Sequence, residues 1–370
     1  MFIKKIEKET LLKPLQIVVG IVERKQTMPI LSNVLIEKES GKIFFTSTDL
    51  EIQMTTSIEV DDDEEDKSYY AITVAGKKFQ EILRILPDHS RISIEVKDNK
   101  AQIKSNKSRF NLQSLPAVDF PKLNDQRHDA KTITISQLAL KNLLCSVQFA
   151  MAQQDVRYYL NGVLFVIEDN LFRAVATDGH RLAYNAITLD VSLEKCEIII
   201  PRKAIGELSK LLNDSNDPIE LEFSTQQLKA TFSGIELVTK LIEGKFPDYQ
   251  RVIPNYINHL SINRTLVLQS LQRAAILSNE KFRGVHFVLT ERNLCIISSN
   301  SEQEEAQVEI ETDYYGDAID IGFNVNYLID GLNSINTEMA IFSFGSPNSS
   351  ILITSPEDLT FRYVVMPMRI

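Results

Sequence analysis

Three short landmarks recur along the 370-residue chain at nearly one spacing, and no other feature narrows the possible folds so far. Thr48-Asp49, after an apolar run, returns as Thr177-Asp178 and loosely as Ser299-Asn300; 178 minus 49 is 129, and 300 minus 178 is 122. Val74-Ala75-Gly76-Lys77-Lys78 returns as Ile200-Pro201-Arg202-Lys203 and then Phe323-Asn324-Val325, at steps of 126 and 123. Asp119-Phe120-Pro121 returns as Lys245-Phe246-Pro247 and Val365-Met366-Pro367, at steps of 126 and 120. A shared period in three independent landmarks implies three copies of one folding unit. The expected domains are 1–128, 129–253 and 254–370.

Length agrees, since a domain takes about 100 to 200 residues. An apolar fraction of 44% with 24% charged residues is that of a globular protein. Met1-Phe2-Ile3-Lys4-Lys5 does not open a signal peptide, and no apolar run approaches the roughly 18 residues of a membrane helix, so a cytoplasmic protein is expected. Cys145, Cys196 and Cys295 are widely spaced in apolar stretches and read as small buried hydrophobes; the five histidines show no metal-ligand spacing, so no metal and no cofactor are expected. The formal charge of −10 argues against nucleic acid unless the cations gather on one surface.

Within the first unit, apolar residues at three- and four-residue spacing predict a helix over 8–24, capped by Thr10, with Pro14 in its opening turn. From Leu50 to Val60 apolar and polar residues alternate, apart from Thr56, which predicts a half-buried strand. The acidic run Asp61 to Asp66 suits a solvated hairpin tip. A second helix at 76–86 and further strands complete the unit, and the order repeats, with helices at 136–150, 202–212, 265–278 and 324–334. The expected class is α+β, with helices covering one face of antiparallel sheets.

The second helices carry the functional signal. Residues 76–86 turn Phe79, Ile82, Leu83 and Leu86 inward and Lys77, Lys78 and Arg84 outward; residues 202–212 likewise expose Arg202, Lys203 and Lys210. Cations without a base-reading element would touch phosphates and ignore sequence. The third copy carries Asn324, Asn326 and Asn333 in their place. Asp178-Gly179-His180-Arg181 offers an acid, a base and a cation, but no nucleophile or second carboxylate accompanies them; the alternative is a turn that shapes a binding surface, with glycine taking a conformation closed to other residues. No phosphate-binding glycine loop is present.

The runs QDVRYYLNG, ATDGHRLA, IPRKAIGEL, KFPDY, AAILSNEKFRGV and YVVMPMRI together closely resemble the bacterial DNA polymerase III beta subunit family, the replicative sliding clamps, from end to end of the chain. The resemblance implies a non-catalytic processivity factor: two chains joined head to tail in a ring, helices lining the hole, sheets outside, and duplex DNA passing through. Its implied partners are the polymerase III catalytic subunit, the clamp loader and other proteins bearing a clamp-binding peptide. Lys25, Lys77, Lys78, Arg84, Arg202 and Lys203 would then face DNA. Gln154, Tyr158 and Tyr159 would meet single-stranded or tilted DNA by stacking, strand-edge packing being the alternative for the tyrosines.

The peptide pocket implied by the resemblance draws Arg157, Leu160, Thr177, Gly179, His180 and Leu182 from the central unit, followed by Pro247, Arg251 and Val252. The third unit adds Asn324, Tyr327, Ser350, Val364, Met366, Pro367, Met368 and Arg369. Asn348 and Gln250 depart from the usual small apolar residue and arginine at the rim. At the seam between chains, Phe110 and Leu112 would meet Ile276 and Leu277 of the other chain, with Glu302, Glu304 and Glu305 pairing basic residues; Ile276 could instead be core.

Overall fold

In the computed structural model, which describes residues 3–23, 28–60, 69–97, 99–123 and 130–369, the element order repeats three times. The first repeat runs β1 (Ile3–Glu7), α1 (Lys8–Val19), β2 (Asn33–Glu39), β3 (Lys42–Thr48), β4 (Ile52–Glu59), β5 (Tyr70–Ala75), α2 (Gly76–Ile85), β6 (Arg91–Lys97), β7 (Lys100–Ser105) and β8 (Ser108–Gln113). The central one has β9 (Lys131–Ser136), α3 (Gln137–Cys145), β10 (Gly162–Thr177), β11 (Arg181–Pro201), α4 (Arg202–Leu211), β12 (Pro218–Phe223), β13 (Gln227–Phe232) and β14 (Ile235–Lys240). The third has β15 (Asn258–Asn263), α5 (Arg264–Ala275), β16 (Gly284–Thr290), β17 (Asn293–Ser299), β18 (Glu305–Glu311), β19 (Ile319–Asn324), α6 (Val325–Ser334), β20 (Met339–Phe344), β21 (Ile351–Thr354) and β22 (Arg362–Val365).

Long strands β10 and β11 do the work of four. Their register jumps from Ile167↔Cys196 to Leu171↔Thr188, and Asp169 takes φ 54° at the irregularity. Ser40 (φ 49°) between β2 and β3, and Arg292 (φ 59°) between β16 and β17, hold the corresponding positions. The α+β class and antiparallel sheets agree with the sequence reading.

By contacts the chain divides into two compact units. One comprises Met1–Gln137 with Lys210–Leu241, the other Leu138–Ser209 with Ile242–Ile370. The first unit holds a four-stranded sheet, β1-β6-β7-β8, and an eight-stranded one, β5-β2-β3-β4-β14-β13-β12-β9. The second holds a six-stranded sheet, β10-β11-β22-β21-β20-β15, and a four-stranded one, β18-β17-β16-β19. Each large sheet therefore mixes strands of two repeats: β4 pairs with β14, and β11 with β22.

Helix α1 starts at Lys8 and ends at Val19, five residues before the expected end. Glu7 occupies the N-cap position, so Thr10 lies inside the helix and is not its cap. Pro14 also lies mid-helix. Proline there strips a donor from the carbonyl four residues back; that residue, Thr10, is exposed, where water can serve it. Gly20 closes the helix while Ile21 and Val22 stay buried beyond it, which is why the apolar period overran the true end. Thr56, the break in the alternation, faces inward and donates to the Pro14 carbonyl at 3.4 Å. The buried Lys8 ammonium meets Asp88 at 2.6 Å and the Leu86 carbonyl at 3.0 Å, tying the start of α1 to the end of α2.

On α2, Phe79 and Leu83, one turn apart, are fully buried, each contributing about 1.5 to 3 kcal/mol. Gly76 opens this helix because a Cβ would come within 2.7 Å of Val34 Cγ2. The expected acidic tip and Lys25 lie outside the described residues. The cysteine reading holds for Cys295 alone: Cys145 is exposed at the end of α3 and Cys196 half-buried on β11.

Candidate functional site

The Thr-Asp landmark is one turn, built twice with the same bonds. In the first repeat Thr48 Oγ1 donates to the Ile52 carbonyl (2.9 Å) and accepts from the Leu50 N–H (3.1 Å). Asp49 Oδ1 accepts from the N–H groups of Glu51 and Ile52 at 2.9 and 2.8 Å. In the central repeat Thr177 Oγ1 donates to the Arg181 carbonyl (2.6 Å) and accepts from Gly179 (3.1 Å), while Asp178 Oδ1 accepts from His180 and Arg181 at 2.9 and 3.0 Å. The third residue is left-handed in both, Leu50 at φ 78° and Gly179 at φ 91°. In the third repeat Asn300 keeps the acceptor role toward Glu302 and Glu304.

This geometry disposes of acid–base chemistry at Asp178. One carboxylate oxygen is committed to two backbone donors and the other to Arg181 Nε at 3.1 Å. The same aspartate recurs at Asp49 with no histidine behind it, so the turn needs the acid for its own shape.

Arg181, the cation of the turn in the sequence, is absent from the expected pocket set, yet it organises the site. Its guanidinium, only 10% exposed, reaches Asp178, Asp330 of α6 (2.6 Å) and the Phe149 carbonyl (2.7 Å), and stacks 4.4 Å from the Tyr327 ring centre. The Tyr327 carbonyl in turn accepts from the buried Tyr363 hydroxyl at 2.9 Å. Burial, then the neighbouring Asp178, pushes the Tyr327 phenol up from its ordinary pKa. One cation thus holds turn and helix together and leaves an open cleft of about 320 Å³, lined among others by Arg157, His180, Arg181, Arg202 and Tyr327.

Around this cleft the predicted pocket residues take distinct places. Leu160, Leu182 and Val364 are buried at 1%, 3% and 0% exposure in one cluster with Phe246 and Tyr249, so they form the floor beneath the surface and not its wall. Met366 (47% exposed) and Val252 (43%) offer apolar side chains to solvent, and the Met366 N–H is held by the His180 carbonyl at 2.9 Å. In the sequence Met366-Pro367 echoes Phe120-Pro121 and Phe246-Pro247, but those phenylalanines are buried, while Met366 follows its strand directly, as Lys240 ends β14, and is presented outward.

Arg157 is locked by Asp155 (2.9 Å) and the Asp178 carbonyl, and its hydrogen bonds hold the Asp155 carboxyl down at about 2. Arg251 pairs with Asp248 at 2.8 Å, and Pro247 lines a neighbouring cavity with Arg173 and Lys195. Asn324 caps α6 by accepting from the Asn326 N–H, while the Ser350 carbonyl accepts from Tyr256. Met368 is anchored through its N–H on the Gly322 carbonyl; Pro367 beside it is half-buried and Arg369 exposed.

Of the predicted DNA-facing residues, Lys78, Arg84, Arg202, Gln154 and Tyr158 are exposed, and Lys77, Lys203 and Tyr159 half-buried. The Arg202 guanidinium donates to the carbonyls of Met151 and Ala152 at 3.0 and 3.4 Å, bracing the loop that carries Gln154 to Tyr159. At the expected seam, Phe110 and Leu112 are half-buried on β8, Ile276 is 76% exposed after α5, Leu277 is half-buried, and Glu302, Glu304 and Glu305 are exposed. Glu7, Glu9 and His89 bring ligand atoms within 4.8 Å of one another, but Lys8 lies 3.6 Å from Glu9 and the cluster sits at a helix N-terminus, where cations are disfavoured.

Comparison with known proteins adds the decisive observation. Models of the DNA polymerase III beta subunit match in sequence order: the N-terminal domain at residues 1–124, the central domain at 134–248 and the C-terminal domain at 250–369. The chain belongs to the DNA polymerase III beta subunit family, the beta sliding clamps. The beta sliding clamp of Pseudomonas putida is 41% identical over 367 residues, and that of Escherichia coli strain K12 40% identical over 366, each alignment covering 99% of both chains. The crystal structure of the DNA polymerase III subunit beta from Pseudomonas aeruginosa superimposes with a TM-score of 0.95 at 40% identity, covering 99% of this chain and 100% of that one. A Caulobacter crescentus beta sliding clamp gives 0.94 at 34% identity, covering 99% and 98%. As a beta sliding clamp the chain is a non-catalytic subunit, in keeping with an aspartate spent on its own turn. No helix among the described residues is long and apolar enough to cross a membrane.

Proposed function

We propose that two copies of this chain close head to tail into a ring around duplex DNA in the cytoplasm and tether the replicative polymerase, the clamp loader and repair polymerases through a peptide pocket on each chain. The observation that carries the reading is the surface below the Thr177–Arg181 turn: a braced turn, a buried apolar floor and an outward methionine, which suit a short peptide with apolar anchors and a glutamine. Domain boundaries near residues 128 and 253 belong to the same reading.

Closure is supported by the strands β8 and β18, each outermost in its four-stranded sheet. Unpaired edges seek partners, and pairing β8 of one chain with β18 of the next would remove both and bring Phe110 and Leu112 to Ile276 and Leu277. Encirclement reconciles a charge of −10 with DNA: retention becomes topological, so the exposed cations of α2 and α4 need only loose phosphate contact.

Loading on nicked circular DNA followed by linearisation tests the ring. Retention on the circle and loss from free ends is expected; equal retention on both would refute encirclement. A scaffold that touches only proteins would stay on neither.

A further inference from the structure

We propose that Leu50 is a built-in plug: its apolar side chain fills, beside β4 in the first unit, a copy of the surface that beside β11 carries Gly179 at the same turn position, and so limits each chain to one peptide site. The inference rests on reading the Gly179 surface as the peptide pocket.

The two surfaces share a frame. β14 pairs with β4 (Ile52↔Thr239) as β22 pairs with β11 (Arg181↔Val365). The next residue of the incoming strand then donates its N–H back to the turn, Lys240 to the Glu51 carbonyl and Met366 to the His180 carbonyl, both at 2.9 Å. Beneath the first turn lie Leu31, Leu35 and Phe120, and beneath the second Leu160, Leu164 and Phe246, all buried. Leu160 and Leu164 each stand 129 residues after Leu31 and Leu35, the interval that separates Gly179 from Leu50.

One difference between them lies at the third turn position. A left-handed φ of 78° strains a leucine, and glycine would be free of that strain. Such a residue persists where its side chain gains something glycine cannot, and Leu50 packs against the cluster of Ile30, Leu31, Leu35 and Phe120. Gly179 puts no side chain of its own over the matching floor; a Cβ there would meet the Arg157 guanidinium at 3.0 to 3.4 Å, so the cover on that side is a half-exposed cation held by Asp155 and not an apolar side chain. The first surface is closed a second time by Lys240, paired with Glu51 at 3.3 Å, where the other presents Met366.

The experiment titrates a short synthetic peptide with leucine and phenylalanine anchors and one glutamine into the full-length protein by calorimetry, with hydrogen exchange to locate the contact. The parent should bind one peptide per chain. Leu50→Gly, which suits the backbone, and Leu50→Asn, which tolerates it, should each admit a second peptide, weaker by about tenfold or more, with new exchange protection at residues 48–52. Gly179→Leu, the reciprocal plug, should weaken the parent site by more than about tenfold. One peptide per chain in both Leu50 variants, without new protection, overturns the plug. Undiminished binding by Gly179→Leu, or none by the parent, overturns instead the reading on which it rests.

Discussion

Arg181→Met is the perturbation that most directly probes how the site is held. The substitution keeps much of the side-chain volume and removes three polar contacts: Asp178 at 3.1 Å, Asp330 at 2.6 Å and the Phe149 carbonyl at 2.7 Å. Removing one partner of a buried pair costs about 3 to 5 kcal/mol. Two features lower that figure. Asp178, 15% exposed, keeps both backbone donors, and Asp330, 40% exposed, can be hydrated once released. The Phe149 carbonyl adds about 1 kcal/mol for an acceptor left unpaired. The expected loss is about 2 to 4 kcal/mol, confined to the turn, β22 and α6.

Native-state hydrogen exchange suits this measurement, because it reads local opening without requiring the whole chain to unfold in one step. Amides from Thr177 to Leu182 and in α6 should lose protection by that amount, while those in β6 and β7 should not change. Arg181→Lys, which keeps the charge but loses the planar fork, should recover part of the loss. A cycle with Asp330→Asn should show coupling of about 1 to 2 kcal/mol. A loss below about 0.5 kcal/mol in Arg181→Met would refute the argument that this cation organises the pocket.

Two further outcomes follow from the same geometry. Removal of Met366 to Ile370 takes away the outward methionine and the backbone bonds of Met366 and Met368, yet leaves β22 paired; peptide binding should vanish in calorimetry while sedimentation shows an unchanged assembly, and unaltered affinity would contradict the pocket. Asp155 should titrate near pH 2: its folded pKa lies below the unfolded value of about 3.9, so its link to Arg157 contributes fully above that value and is lost as pH falls through about 2. A carboxyl carbon titration midpoint near 4 would show that the Asp155–Arg157 lock does not form in solution.

Much of the architecture was legible because it is written three times. The helix starts at Gly76, Arg202 and Val325 stand where the repeated landmark places them, and the Thr-Asp turn is coded by two adjacent side chains that satisfy its amides locally. Where the signal was purely local, the reading slipped. Apolar Ile21 and Val22 prolonged the pattern of α1 past Gly20, and a cysteine in an apolar stretch, Cys145, emerged at a helix end in solvent.

By itself the sequence determined the period, the fold class, the turns and the basic helix faces, since each depends on neighbours a few residues apart. Only the tertiary structure decided that β4 joins β14 and β11 joins β22, that Arg181 finds Asp330 149 residues away, and that Leu50 packs on Leu31, Leu35 and Phe120. Strand partners and buried ion pairs are chosen by packing between distant segments, and no local pattern of residues encodes which distant surface a strand or a charge will meet.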